Sequence, residues 1–144
     1  MFLAHPRTGR IVVAIHADDY ELFRQAAGSQ AERVTAIIGG PTRQESVRLG
    51  LLALKDHAPG QVLIHDAVRP FVDAELIDRT IAAIGKNEGA LPALPIADTL
   101  KRESAAGVVA ETVSRSGLHA AQTPHGFPYG PILAAHDKAY KLGS

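Results

Sequence analysis

Short apolar runs alternate with amphipathic segments along the first two-thirds of the chain. The apolar runs predict three buried strands, at residues 10–15, 33–38 and 61–65. Residues 17–27, between the first two runs, have the spacing and the acidic start of a helix. Because strands that alternate with helices pack as layers around a sheet, we predict a three-layer, mostly parallel α/β domain.

Capping residues mark the starts of two further helices. Thr42 stands three positions before Glu45, which is the spacing of a capping box. Apolar residues then follow at helical spacing and define a buried face: Val47, Leu51 and Leu54. Asp73 opens the next helix, whose apolar side carries Ile77, Ile81 and Ile84. A closing helix is predicted to begin near Pro131 and to run past residue 139.

The pattern changes after residue 90. Residues 90–96 are extended in character but contain two prolines, which cannot donate to a ladder and therefore indicate an irregular or edge strand. Between residues 99 and 123, short β-prone pieces are separated by turns rich in alanine, glycine and serine. This region predicts an antiparallel excursion and not another strand–helix unit.

Composition narrows the class of protein. A chain of 144 residues is the size of one domain. Its 15 basic and 15 acidic residues balance, so no broad field favours nucleic acid or an anionic membrane. Without cysteine, disulfides and thiolate metal sites are excluded. No apolar run approaches the roughly 18 residues of a membrane span. We predict a cytoplasmic protein with neither nucleic acid nor membrane as a partner.

The third predicted strand, at residues 61–65, leads into the first candidate site residues, Asp66 and Arg69. Residues 62–64 are apolar and lead directly into these charged side chains, which a parallel sheet delivers to its ligand-binding crevice. The pair could serve a metal-bound phosphate and a second anion. Magnesium, which prefers oxygen ligands and retains water, suits Asp66 better than zinc does. The spacing leaves open a plain strand end, in which Asp66 accepts from loop amides and Arg69 is solvated.

Other candidate groups lie in glycine-rich and hydroxyl-rich turns. Gly39 and Gly40 separate a strand from a helix. They could allow a flat ligand to approach the backbone near Ser46. In the alternative, they only form a tight turn and Ser46 faces solvent. A phosphate monoester could be held by Arg69, Thr99, Arg115 and Thr123, although each is also typical of a solvated turn. The seven histidines are scattered, and His65 is interpreted as packed or hydrogen-bonded and not as a metal ligand.

Five motifs then occur in a specific order, and together they span nearly the whole chain. They are Gly39–Val47 (GGPTRQESV), His65–Phe71 (HDAVRPF), Pro95–Arg102 (PIADTLKR), Thr112–Arg115 (TVSR) and Ala121–Pro124 (AQTP). The series resembles the 2-C-methyl-D-erythritol 4-phosphate cytidylyltransferase family of the non-mevalonate isoprenoid pathway. The resemblance implies a Rossmann-like nucleotidyltransferase sheet and cytidylyl transfer from CTP to methylerythritol phosphate, with pyrophosphate released and magnesium present.

The resemblance also implies residue roles. Gly40 and Ser46 would recognise the cytosine, Ala67 would lie against the ribose, and Asp66 would stand by the ribose and the metal. The remaining residues would bind methylerythritol phosphate: Arg69, Thr99, Arg115 and Thr123. Arg115 would in addition position the attacking phosphate, which makes it the catalytic candidate.

Residues 99–118 are similar to the β-arm with which members of the family clasp a second subunit. A homodimer through this arm is therefore expected, within a single domain that covers residues 1–144. Pro41 stands where some members carry an acid, so no site is assigned to that position.

Two expected parts have no counterpart in the sequence. One is a Gly-rich loop whose arginine and lysine stabilise the transition state, and the other is a C-terminal segment with a substrate-binding lysine. The opening residues 1–6 read like the tail of a helix. We therefore expect a fragment that lacks a central strand and turns over little by itself. Two alternatives stay open, namely a non-catalytic dimerisation remnant and a nucleotidyltransferase for another sugar or polyol phosphate.

Overall fold

The structure, a computed structural model, describes residues 1–143. Its strands are β1 (Val12–Ile15), β2 (Thr35–Ile38), β3 (Gln61–Ile64), β4 (Ala93–Pro95), β5 (Leu100–Glu103), β6 (Val109–Val113), β7 (His119–Ala121) and β8 (His125–Pro128). Its α-helices are α1 (Tyr20–Ala27), α2 (Arg43–Ala53), α3 (Ala74–Ala83) and α4 (Tyr129–Lys141). Short 3-10 turns occupy Phe2–Ala4, Ala17–Asp19, Gly28–Arg33 and Lys55–His57.

The strands pair two by two. β1 lies parallel to β2, whereas β3 pairs antiparallel with β8, β4 with β7 and β5 with β6. The α/β class and the antiparallel excursion are thus confirmed. Among the pairs that residues 1–143 form, one is parallel and three are antiparallel, so the parallel part is smaller than the alternation of strands and helices indicated.

The antiparallel pair of β3 with β8 was unexpected, because the sequence pattern did not predict β8. Its sequence, His-Gly-Phe-Pro, has a glycine and a proline among four residues and is a poor strand by propensity. Gly126 is nevertheless required there, because an added Cβ would lie 2.7 Å from Cδ1 of Ile84 on the chain that leaves α3. Tertiary packing on β3 and on Ile84 therefore overrides the weak local signal.

The core lies where α2 meets α4. Leu51 and Leu54 are buried against Tyr129, and the Tyr129 hydroxyl donates to the Leu51 carbonyl at 2.8 Å. Val12 of β1 and Val62 of β3 both pack against this cluster. The predicted apolar face of α2 is therefore confirmed, and it holds two separate strand pairs under one pair of helices.

The predicted helix starts are also found. The Thr42 hydroxyl accepts from the Glu45 amide at 3.1 Å, and the Asp73 carboxylate accepts from the Leu76 amide at 2.7 Å. Both caps satisfy an amide that has no partner within its helix. α4 begins at Tyr129, two residues before the proline that indicated it. Of the helices in residues 1–143, none combines the length and the apolar character that a bilayer crossing requires.

Truncating a core side chain should show how much the α2–α4 contact contributes to the free energy of unfolding. Leu51 is only 2% exposed, so Leu51→Ala should lower the free energy of unfolding by about 2–5 kcal/mol. Leu22→Ala, at a side chain 63% exposed on α1, is the matched control and should stay within about 0.5 kcal/mol. Urea unfolding followed by circular dichroism measures both. Equal losses for the two variants would contradict the assigned core.

Candidate functional site

A short turn after β3 presents the central carboxylate of the site. The Arg69 amide donates to the Asp66 carbonyl at 2.9 Å and closes the turn. One carboxylate oxygen of Asp66 accepts from Nε and Nη2 of Arg43 at 3.1 and 2.8 Å. The other lies 3.7 Å from Nε of Arg69. Asp66 is thus held between two guanidinium groups, one from the first residue of α2 and one from its own turn.

This arrangement keeps Asp66 ionised. The hydrogen bond from Arg43 lowers the pKa of the Asp66 carboxyl below its ordinary value of 3.8, partial burial opposes this shift, and the charges of Arg43, Arg69 and His125 add to the lowering. Because the pKa is lower in the folded state, the ion pair stabilises the fold above the unfolded pKa. That contribution disappears as the pH falls through the folded pKa.

The glycine turn before α2 is closed by Ser46. Oγ of Ser46 accepts from the Gly40 amide at 3.1 Å and lies 3.0 Å from the Thr42 carbonyl, to which it donates. An added Cβ at Gly39 would lie 2.8 Å from the same oxygen, so a larger residue there would displace the Ser46 hydroxyl from this position. Ser46 is therefore half-buried against the turn, and the alternative of a solvent-facing serine is wrong.

Thr123 closes the opposite side of the site. Its side chain is buried at 6% exposure, and its hydroxyl oxygen accepts from the Asp66 amide at 3.3 Å. The same oxygen lies 3.0 Å from Nδ1 of His65. Nearby, Nη1 of Arg69 donates to the Gln122 side chain at 2.6 Å. The segment before β8 and the turn after β3 are therefore joined by several polar contacts.

An open cleft of about 520 Å³ adjoins this cluster. Its lining includes Arg69, Arg79, Gln122 and Thr123, together with the exposed side chains of Val68 and Phe71. Ala67 lies exposed at the tip of the turn. Cations and hydrogen-bonding groups beside apolar walls are suited to an anionic ligand of small-molecule size.

Two of the predicted site residues lie elsewhere in the single chain. Thr99 is exposed just before β5, and the Arg115 guanidinium donates to the Ala97 carbonyl. In the part of the chain that the structure describes, no hydrogen bond or ion pair joins either residue to Asp66, Arg69 or Thr123. One chain thus brings together the predicted residues of the glycine turn, the β3 turn and Thr123, and leaves the two residues of the excursion apart.

Sequence reasoning missed Arg43 and Gln122 as partners within the site. Both belong to the five ordered motifs, but long side chains that reach across 23 and 53 positions leave no periodic signal. The interpretation of His65 as a packed, hydrogen-bonded residue is confirmed. Its ring contacts Thr123 and the Arg69 carbonyl and lies 5.0 Å from the ring of Phe2.

A metal at this site would find one protein carboxylate. Residues 1–143 contain no cluster of three or more His, Cys, Asp or Glu side chains that would enclose an ion. The partly exposed oxygens of Asp66 fit magnesium, which is commonly held by one or two carboxylates plus substrate phosphates and water. They do not fit a closed structural metal site.

Comparison with known proteins agrees with the sequence motifs. The profile of the family "IspD: 2-C-methyl-D-erythritol 4-phosphate cytidylyltransferase" matches residues 1–144. The bifunctional enzyme IspD/IspF of Mesorhizobium japonicum is 92% identical over 143 residues, which is 99% of this chain and 35% of that protein. The bifunctional enzyme IspD/IspF of Brucella abortus is 57% identical over 137 residues, 95% of this chain and 35% of that protein.

The solved structures give the same result. A 4-diphosphocytidyl-2C-methyl-D-erythritol synthase is 34% identical and superposes with a TM-score of 0.81, covering 99% of this chain and 72% of that chain. The chain spans about a third of the length of the curated bifunctional relatives. With the profile matched from end to end, the chain belongs to the IspD family, the 2-C-methyl-D-erythritol 4-phosphate cytidylyltransferases.

Proposed function

We propose that the protein carrying this chain transfers the cytidylyl group of CTP to 2-C-methyl-D-erythritol 4-phosphate. An oxygen of the acceptor phosphate forms a bond to the α-phosphorus of CTP, the bond to the departing pyrophosphate breaks, and CDP-methylerythritol is the product. The contact between Arg43 and Asp66, at 2.8 Å, is the observation that carries the proposal. It joins the start of α2, beside the glycine turn, to the Asp66–Arg69–Thr123 cluster.

The glycine turn is proposed as the cytosine site. Gly40 and Ser46 would read the base, because a glycine backbone has no side chain of its own to exclude a flat ring. Ala67 would lie against the ribose, where its small side chain at the tip of the turn leaves room. Asp66 would contact the ribose and a magnesium ion, which would neutralise charge on the nucleotide phosphates.

The acceptor would occupy the cleft beside Arg69 and Thr123. Arg115 and Thr99 complete the proposed phosphate site, with Arg115 holding the phosphate for in-line attack, where positioning supplies most of the catalysis. Because Thr99 and Arg115 make no hydrogen bond or ion pair with Arg69 or Thr123 within the described part of one chain, we propose that Thr99 and Arg115 come from a second subunit. Residues 99–118, which contain the β5–β6 hairpin, would then be the arm of a homodimer.

Exposed apolar residues on both surfaces support this dimer. Val109 on the hairpin is 63% exposed, and Phe71 beside the cleft is 98% exposed. Exposed apolar side chains mark an interaction site where they form a contiguous patch, as Val68 and Phe71 do along the cleft. We further propose that residues 1–144 form one domain. The protein would act in the cytoplasm, where CTP is available.

Removing the charge of Asp66 should impair the binding of metal and nucleotide without unfolding the protein. Asp66→Asn should lower kcat/KM for CTP at least about 100-fold, because the amide cannot offset the cations of the site or hold magnesium. Asp19→Asn, at an exposed carboxylate before α1, is the control and should leave activity unchanged. Pyrophosphate release measures both, and melting temperatures verify folding. Full activity in Asp66→Asn would contradict the proposed site.

Subunit mixing tests whether the arm works in the neighbouring site. Asp66→Asn and Arg115→Ala should each be nearly inactive as homodimers. After subunit exchange, about half of the dimers are mixed, and each has one intact site if Arg115 acts across the interface, so about a quarter of the parent activity should return. If Arg115 serves its own chain, every mixed site carries one defect and no activity returns. That outcome would contradict the shared site.

The 144 residues alone are predicted to turn over little, since two transition-state cations of the family have no counterpart among them. A pyrophosphate-release assay of this chain with CTP and methylerythritol phosphate tests this prediction. Replacing methylerythritol phosphate with erythritol 4-phosphate or ribose 5-phosphate in the longer protein separates the proposed function from transfer to another sugar phosphate. Dimerisation without any CTP binding would instead favour a non-catalytic remnant.

A further inference from the structure

His65 bridges two residues of the proposed acceptor site without itself having a role there. Its Nδ1 lies 3.0 Å from the Thr123 hydroxyl oxygen, and its Nε2 lies 2.9 Å from the Arg69 carbonyl oxygen. The ring of Phe2 lies against the imidazole, 5.0 Å away between centroids and tilted by 59°. Both ring nitrogens are therefore engaged by partners of known hydrogen-bonding capacity.

Those partners determine the direction of each hydrogen bond. A peptide carbonyl only accepts, so Nε2 must carry the hydrogen that binds the Arg69 oxygen. In a neutral imidazole the other nitrogen is then an acceptor, and the Thr123 hydroxyl donates its hydrogen to Nδ1. The Asp66 amide, 3.3 Å away, donates to one lone pair of the same hydroxyl oxygen.

The remaining capacity of Thr123 is one lone pair. Its only hydrogen is directed at His65, so the hydroxyl can accept from a ligand but cannot donate to it. A phosphate monoester is mostly a dianion above pH 7 and has no hydrogen to offer. A ligand hydroxyl, in contrast, donates readily. Thr123 in this orientation therefore suits an alcohol and not a phosphate.

We propose that His65 is a positioning residue that turns Thr123 into an acceptor for a hydroxyl group of the polyol substrate. The inference rests on the proposed function and refines it, because Thr123 then recognises the carbon skeleton and the phosphate is left to Arg69, Arg115 and Thr99. The link from Nε2 to the Arg69 carbonyl holds the same turn that presents Asp66 and Arg69. His65 thus fixes the geometry of the site without touching substrate.

The tautomer of His65 can be measured without any substrate. Long-range ¹H–¹⁵N correlation spectra of histidine-labelled protein at pH 8 should show the Nε2–H form, and the signal is assigned by its loss in His65→Asn. Thr123→Val removes the hydroxyl and should shift Nδ1, while Nε2 keeps its hydrogen. A proton on Nδ1 of the parent protein under these conditions would overturn the proposal.

Two substitutions separate the two halves of the bridge. The Asn amide oxygen of His65→Asn lies near the position of Nδ1 and preserves an acceptor for Thr123. The longer amide of His65→Gln reaches towards the Arg69 carbonyl and lacks that acceptor. We expect His65→Gln to raise KM for methylerythritol phosphate about tenfold with little change in KM for CTP, and His65→Asn to restore most of the loss.

Inorganic phosphate serves as the probe for the phosphate half of the acceptor site. The inhibition constant of phosphate should be unchanged in His65→Gln and in Thr123→Val. The double variant should raise KM for methylerythritol phosphate no more than either single substitution does. Equal effects of the Asn and Gln variants, or a parallel weakening of inhibition by phosphate, would overturn the assignment. Absence of turnover in the longer protein that carries this chain would contradict the proposed function and the polyol assignment, whereas the tautomer measurement tests the bridge by itself.

Discussion

The site depends on one carboxylate that is shared by two guanidinium groups. β1 and β2 form one pair and β3 and β8 another, and no ladder hydrogen bond connects the two pairs in residues 1–143. Below, the helices α2 and α4 hold both pairs through Leu51 and Tyr129. At the edge of the candidate site, the partly exposed ion pair of Arg43 with Asp66 connects the glycine turn to the cleft.

Sequence patterns predicted the parts of the fold that obey local rules. The caps at Thr42 and Asp73 and the buried face of α2 follow from spacing alone, and each is found where it was predicted. β8 was missed because its glycine and proline weaken the local signal, while the space beside Ile84 that demands the glycine exists only after α3 has packed. Helix and strand periodicity report on one element at a time, so the pairing of β8 with β3 was beyond their reach.

The candidate site was predictable in its members but not in its connections. Asp66 could equally have accepted from loop amides, and its carboxylate instead accepts from Arg43, whose long side chain crosses from another element. Ser46 could have faced solvent, and its hydroxyl instead accepts from the Gly40 amide and lies close to the backbone of Gly39. Motif order found these residues because the motifs occur along the chain in the order that the family has them. The hydrogen-bond partners depend on the length and the burial of the side chains. The spacing of residues along the sequence reports neither.

Burial also divides the proposed acceptor site into a fixed half and a variable half. Thr123, His65 and the turn at Asp66 belong to one chain, and their polar atoms bind each other, so their orientations are set before any ligand arrives. Arg115 is exposed on the excursion, and its guanidinium donates to the Ala97 carbonyl. A preorganised hydroxyl discriminates between substrates because an imperfect partner leaves it unpaired, whereas a long, exposed arginine adapts to any phosphate. Recognition of the polyol skeleton is therefore best carried by the fixed half, and capture of the phosphate by the arm.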